Sequence, residues 1–335
     1  MAVMTGEAIA SDVPREIDRG LPTSDRIFRG SVRGIGILVL ITVGAIGAFL
    51  GYQLVPTLHA FGTRFFTENQ WIPSRNIIGI AADIIGTIEV AVIALVLAFP
   101  LALFTALYIS EYAPRRLKSL LVSMVDLMAA VPSIVYGAWG VFVLMPYAKN
   151  FSRWCSAYLG WIPVFRVTNG HPHAAAWAQS QYVGSDFIAA IAVAMMVIPL
   201  ACAVMRNIFA QAPLSEREAA LALGSTRWGV IRSVVLPFGR AGIIGGTMLG
   251  LGRALGETVA VLLILSQNHD ITLHPLQNGG TTISAEIANG FQDATSAQLS
   301  ALLAAGFVLF CMTLVVNTIA AMIVNRSRSG AATEI

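Results

Sequence analysis

Windows of about 20 consecutive apolar residues recur along this chain, at residues 34–55, 88–109, 119–145, 187–209, 241–265 and 301–324. A helix that rises 1.5 Å per residue needs roughly that many to cross a hydrocarbon layer about 30 Å thick. The pattern therefore predicts six transmembrane helices and an all-α membrane protein. Residues 1–33 are polar and mixed in charge, and they read as a tail without structure of its own. The tail is too long for the charged start of a signal peptide and no small-residue cleavage site follows, so the first span is expected to stay in the mature protein. The expected layout is a tail over 1–33, a membrane domain over 34–325 with its core at about 84–324, and a second tail over 326–335.

Between the fourth and fifth windows lies a polar stretch, SEREAALALGSTRWGVIRSVVLP at residues 215–237. Ser215 followed three residues later by Glu218 fits a capping box and predicts a helix starting at Ser215. Ala219, Ala220, Leu221, Ala222 and Leu223 favour helix, and Gly224 offers the left-handed conformation that ends one. Ser225 or Thr226 can cap a second helix, whose Val230, Ile231, Val234 and Val235 recur at helical spacing before Pro237 closes it. The alanine-rich face of the first helix suits close approach by another protein. The plain alternatives are a connecting loop or a DNA-binding helix-turn-helix.

Composition agrees with the spans. Of 335 residues, 56% are hydrophobic and only 12% charged, against about 25% charged in soluble domains. Lys and Arg set the orientation. Fifteen lie in the tails and in the loops on one side, including Arg115, Arg116, Lys118, Arg206, Arg217, Arg227, Arg232 and Arg240; five, Arg64, Arg75, Lys149, Arg153 and Arg166, lie on the other. The positive-inside rule then makes both termini and the 215–237 loop cytoplasmic. The net charge of +3 is a topology signal, and nothing suggests nucleic-acid binding.

Three scattered cysteines, Cys155, Cys202 and Cys311, imply neither a disulfide framework nor a metal site. His171 and His173 sit in a polar loop without a Cys or carboxylate cluster nearby. The only lysines, Lys118 and Lys149, do not follow a glycine, so there is no phosphate-cradling loop and no ATPase site. No hydrolase motif is present either. The run over residues 77–109 is too long for one span. Its start reads as an entry segment on the far side, and Pro100 as a kink. Residues 283–291, in a loop free of Lys and Arg, read as a short amphipathic helix at the outer surface.

Two segments carry candidate chemistry. In residues 250–257, GLGRALGE, a full charge inside a span costs at least about 2.5 kcal/mol and normally faces protein or a wet cavity. Arg253 and Glu257 are four apart and share one face of a continuous helix. They fit either a structural ion pair or an anion path in which the planar guanidinium meets an oxyanion and Glu257 tempers its grip. Gly242, Gly245, Gly246, Gly250, Gly252 and Gly256 strip side chains from the same helix. In residues 126–140, DLMAAVPSIVYGAWG, Pro132 breaks the third span, and Ser133 and Tyr136 either repair freed backbone groups or offer hydroxyls to a pathway.

Glu218-Ala219-Ala220, Gly224 and Val234-Val235-Leu236-Pro237 resemble the E-A-A-x3-G-x9-I-x-L-P loop of bacterial ABC-importer permeases, with Val234 for Ile. The stretches AVPSIVYGAWG (130–140) and GRALGET (252–258) are similar to signatures of the PstC-type permease of phosphate-specific importers. The resemblance covers roughly residue 88 to the last span. It implies a type I ABC-importer, MetI-like permease fold in a bacterial inner membrane, without enzyme activity of its own. It implies that Ser215, Glu218, Ala219, Ala220, Gly224, Leu236 and Pro237 couple to an ATPase, and that Arg253, Glu257, Ser133 and Tyr136 line the substrate path. The implied partners are a PstA-like permease, two copies of a PstB-like ATPase that binds ATP and Mg, an external PstS-like phosphate-binding protein and membrane lipid. Sulfate or molybdate is the rival cargo, and a stand-alone channel or sensory scaffold the rival class. Glu89 departs from the pattern, where an uncharged residue is expected.

Overall fold

The computed structural model describes residues 23–168, 170, 180–271 and 273–328. His171 and His173 lie outside the described residues. Two compact units are distinguished, residues 1–48 and 49–335. In the first, the described residues form the start of a long helix, α1 (Thr23–Phe61), whose apolar side chains, among them Ile35, Leu38 and Ile41, are exposed. Lipid can cover such a face because every backbone group is satisfied within the helix. The helix begins at Thr23, where the sequence had placed an unstructured tail.

The larger unit contains the end of α1 and α2 (Ala81–Leu107), α3 (Arg115–Ala130), α4 (Ser133–Leu159), α5 (Asp186–Phe209), α6 (Leu214–Ala222), α7 (Arg227–Val230), α8 (Leu236–Leu255), α9 (Val259–Ile264), α10 (Ile283–Gly290) and α11 (Ser296–Arg328). A two-stranded antiparallel hairpin, Trp71–Ile72 with Ile77–Ile78, precedes α2. Among the described residues five helical spans are long and apolar enough to cross a membrane, and the bent pair α3 and α4 makes a sixth if it is counted as one span.

Small residues set the core. Ala91, Ala94, Ala98, Ala102 and Ala106 form one buried stripe on α2 at helical spacing, and it meets Ala189, Ala192, Val193, Val197 and Ala201 of α5. Between membrane helices, close van der Waals contact and not hydrophobic expulsion drives association, so alanine and glycine are the natural seam. α8 joins the same way. A Cβ on Gly239, Gly242 or Gly250 would lie 2.4 Å from Phe209, 2.5 Å from Ile208 and 2.6 Å from Val197 respectively, and one on Gly246 would lie 3.0 Å from the Ala201 carbonyl. These glycines therefore serve helix packing; of those expected to make room for a solute, Gly245 alone has nothing within 4 Å of an added Cβ.

The break expected at Pro132 is present, since α3 and α4 meet at 91° across Val131 and Pro132. α2 runs through Pro100 and then widens into a π turn at Tyr108–Tyr112. Two sequence expectations change. Pro237 does not close a helix; it sits in the first turn of α8, where a missing N–H costs nothing. A π turn at Ile231–Val235 precedes it and absorbs the extra residue, so the chain runs on as one span from Arg227 to Leu255. Finally, α10 is more buried than a helix lying on the outer surface: Ile283, Ser284, Ala285 and Glu286 are buried and it packs on α11 and α9, while Asn289 and Phe291 at its end are exposed.

Candidate functional site

The polar loop folds as two short helices. α6 starts one residue earlier than expected, with Pro213 as its N-cap, so Ser215 is inside the first turn and caps nothing. The capping box is thus a correction: the extended backbone of Pro213 (ψ 130°) already sets the helix start, and no side chain bonds the cap. The end is as expected. Gly224 takes φ +84°, and the Ser225 N–H donates to the Ala220 carbonyl (3.1 Å) and the Gly224 N–H to the Leu221 carbonyl (2.9 Å). That pair of bonds is the Schellman closure, and it needs a residue without Cβ strain at Gly224. Thr226 caps α7 by accepting from the Gly229 N–H at 3.1 Å.

The loop is exposed on one side and pinned on the other. Glu218 and Ala219 are exposed and Ala220 half-buried. Leu221, Leu223 and Trp228 are exposed too, Leu223 by 88%, an apolar face that water does not favour. Leu236 is half-buried and Pro237 exposed, while Ile231 and Val235 anchor the second half of the loop in the core. Arg217, on the inner side of α6, pairs with Glu111 at 2.7 Å and also donates to the Phe209 carbonyl at 2.6 Å. It therefore ties α6 to the end of α2 and to the last turn of α5. Ser110 donates to Glu111 in turn (2.7 Å). A second pair, Arg206 with Asp126 at 3.6 Å, ties α5 to α3. The sequence reading missed both pairs; the only local signal for the first was two charges at segment ends.

At the other end of α8 the two signature segments lie against each other. α9 packs on α4 so closely that a Cβ on Gly137 would sit 2.9 Å from the Ala260 Cα, and one on Gly140 would sit 2.5 Å from the Ile264 side chain. Both helices start at breaks, α4 after Pro132 and α9 after the Gly256–Thr258 interruption. The buried Tyr136 hydroxyl donates to the Met128 carbonyl at 2.9 Å, so Tyr136 repairs the end of α3. Ser133 is the first residue of α4 and half-buried.

Arg253 lies in the last turn of α8, exposed on this chain's surface and near enough to Tyr136 to act on its hydroxyl electrostatically. Glu257 does not share its helix face, because α8 ends at Leu255. No ion pair joins Arg253 to Glu257 or to any other acid among the described residues. Glu257 is buried, accepts from the Ala260 N–H (3.4 Å) and so caps α9, while its own carbonyl accepts from Ser284 (2.7 Å). Arg253 and Pro237 are sixteen residues apart on one helix, roughly 24 Å at 1.5 Å per residue. α8 thus links the loop to the guanidinium. Glu89 does not face lipid; it lines a small polar pocket with Asp186, Asp270 and Thr281.

Residues 98–329 match the profile of the family described as "binding-protein-dependent transport system inner membrane component". A protein of Mycobacterium tuberculosis named phosphate transport system permease protein PstC 2 is 38% identical over 310 residues, covering 91% of this chain and 93% of that protein. The PstC protein of Pasteurella multocida is 34% identical over 302 residues, covering 90% and 91%. Among solved structures, the MetNI methionine ABC transporter in inward-facing form aligns with a TM-score of 0.53 at 13% identity, covering 77% of this chain and 99% of that one. A bacterial ABC transporter involved in alginate import aligns at 0.52 and 18% identity, covering 92% and 100%. At those identities the structural likeness concerns the fold alone, and that fold is the one expected from the sequence.

Proposed function

We propose that this chain, which belongs to the family of binding-protein-dependent transport system inner membrane components, is the phosphate-translocating permease subunit of an ATP-driven importer. The observation that carries the reading is α8: one helix joined at its start to an exposed, apolar-faced loop and at its end to a guanidinium that has no acid partner among the described residues and lies beside two helix breaks. The relatives named as phosphate transport permeases, which match nearly the whole chain, favour phosphate over sulfate or molybdate as the cargo.

In this reading the 214–237 loop faces the cytosol, in keeping with the Lys and Arg count, and α6 docks on a separate ATPase that binds ATP and Mg. Ser215, Glu218, Ala219 and Ala220 present the docking surface, Gly224 sets the elbow, and Leu236 and Pro237 pass its movement into α8. A PstA-like permease covers the face that exposes Arg253, two PstB-like ATPases sit beneath the pair, and a PstS-like protein delivers phosphate from outside. Arg253 meets the anion in transit, since a fork of N–H donors matches a tetrahedral oxyanion. Tyr136 and Glu257 hold the two helix breaks beside it in place, and Ser133 borders the same break. A stand-alone channel leaves the exposed loop without a role.

The test is purification of the tagged chain from its native membrane, followed by identification of whatever comes with it. The expected result is a second permease and an ABC ATPase in about twofold excess over this chain. A chain that purifies alone, or with no nucleotide-binding protein, overturns the proposal.

A further inference from the structure

We infer that Asp83, His269 and Glu286 form a binding site for a divalent transition-metal cation of the Zn2+ or Mn2+ class, at the end of the bundle opposite the α6 loop. Each offers one ligand atom, and these atoms all lie within 4.8 Å of one another. Ligands about 2.1 Å from one metal lie roughly 3.0–4.2 Å apart, so an ion would draw the widest pair together by about half an ångström. His269 Nε2 is 3.2 Å from Glu286 Oε2, the separation of two neighbouring ligands.

Asp83 supplies the second and independent observation. Its side chain is fully buried, and among the described residues neither carboxylate oxygen has a hydrogen-bond partner of ordinary geometry. Burying a carboxylate without a partner is costly, and buried charges in proteins are paired or bind metals. The Thr281 hydroxyl lies beside Asp83, near enough to favour the charged carboxylate, but makes no hydrogen bond of ordinary geometry among the described residues. Two carboxylates neutralise a divalent charge, and the imidazole favours a transition cation over Ca2+ or Mg2+, which take oxygen ligands.

The surroundings hold the three groups in register. The Thr281 carbonyl lies so close over α2 that a Cβ on Gly86 would overlap it. Thr87 donates to the Asp83 carbonyl at 2.6 Å and accepts from the Ile283 N–H at 3.0 Å, strapping the segment before α10 onto α2. Thr282 caps α10, which brings Glu286 inward on its first turn. Asp270, exposed and fixed by Asn268 at 2.9 Å, gives a cation an acidic approach. Because Ser284 on α10 also bonds the Glu257 carbonyl, an ion here would brace the break next to Arg253 from the far side.

The experiment strips the assembled, purified complex with a chelator, reloads it with Zn2+, and removes loosely held ion by gel filtration. Zinc content is measured for the natural chain, His269→Ala and Glu286→Gln. The natural chain should retain about one Zn2+ more per copy than either variant. Zn2+ should also slow amide hydrogen exchange over residues 267–290 in the natural chain and leave it unchanged in His269→Ala. His269 is only half-buried, so that variant is expected to fold, and its exchange pattern without zinc verifies this. Equal zinc content in all three proteins, or exchange over 267–290 that ignores zinc, overturns the assignment.

Discussion

Arg253→Ala is expected to lower ATP-driven phosphate uptake by about a hundredfold or more while the complex still assembles. A hydrogen bond to a charged group is worth about 1.5–3 kcal/mol, and a guanidinium makes two with an oxyanion. Losing both therefore weakens contact with the passing ion by roughly 3 kcal/mol or more, which at 1.4 kcal/mol per decade is about two orders of magnitude. Assembly should survive because Arg253 has no acid partner among the described residues whose charge its loss would strand. Arg253→Lys keeps the charge without the fork and should recover only part of the rate. Radiolabelled uptake together with recovery of the partner subunits separates the two effects. Uptake within twofold of the natural chain removes Arg253 from the path.

Glu218→Lys is expected to have the next largest effect, through the motor. Glu218 is exposed and makes no ion pair among the described residues, so its reversal should leave the fold of α6 intact. Like-charge juxtaposition at a docked interface costs several kcal/mol, which corresponds to more than about a hundredfold in affinity. The ATPase should be lost from the purified complex while the partner permease remains. Retention of the ATPase at natural levels would show that α6 docks nothing at this position. Arg217, one residue away, is the contrast: it is held to Glu111 and to the Phe209 carbonyl on the inner side of α6, away from the exposed face that Glu218 shares.

What the sequence made legible was local. The loop could be read because its two caps, its glycine stop and its apolar anchors lie within 23 consecutive residues, and Gly224 and Thr226 do what their chemistry allows. Errors arose where one local rule met a stronger neighbour. Ser215 lost its cap to Pro213, whose backbone had already set the helix start. The shared helix face of Arg253 and Glu257 assumed an unbroken helix, whereas α8 stops at Leu255 and Glu257 accepts from the Ala260 N–H in the first turn of α9. The glycines of α8 were legible as a means of close approach, but the structure shows that α5 is what approaches.

The rest was out of reach for a different reason. Glu111 and Arg217 are 106 residues apart and His269 and Glu286 are 17 apart, with Asp83 on another helix altogether. No spacing rule joins residues that only packing of α2, α5 and α10 brings together.

The central claim is that α8 couples a motor-driven loop to a phosphate-contacting guanidinium, and reconstituted transport tests it most directly. The complex of this chain with its partners, placed in vesicles with phosphate-binding protein outside and ATP within, should accumulate labelled phosphate only with hydrolysable ATP. Excess unlabelled phosphate should compete, and sulfate or molybdate should not. Phosphate flux that proceeds equally without ATP, or uptake displaced by sulfate or molybdate as well as by phosphate, would contradict the account.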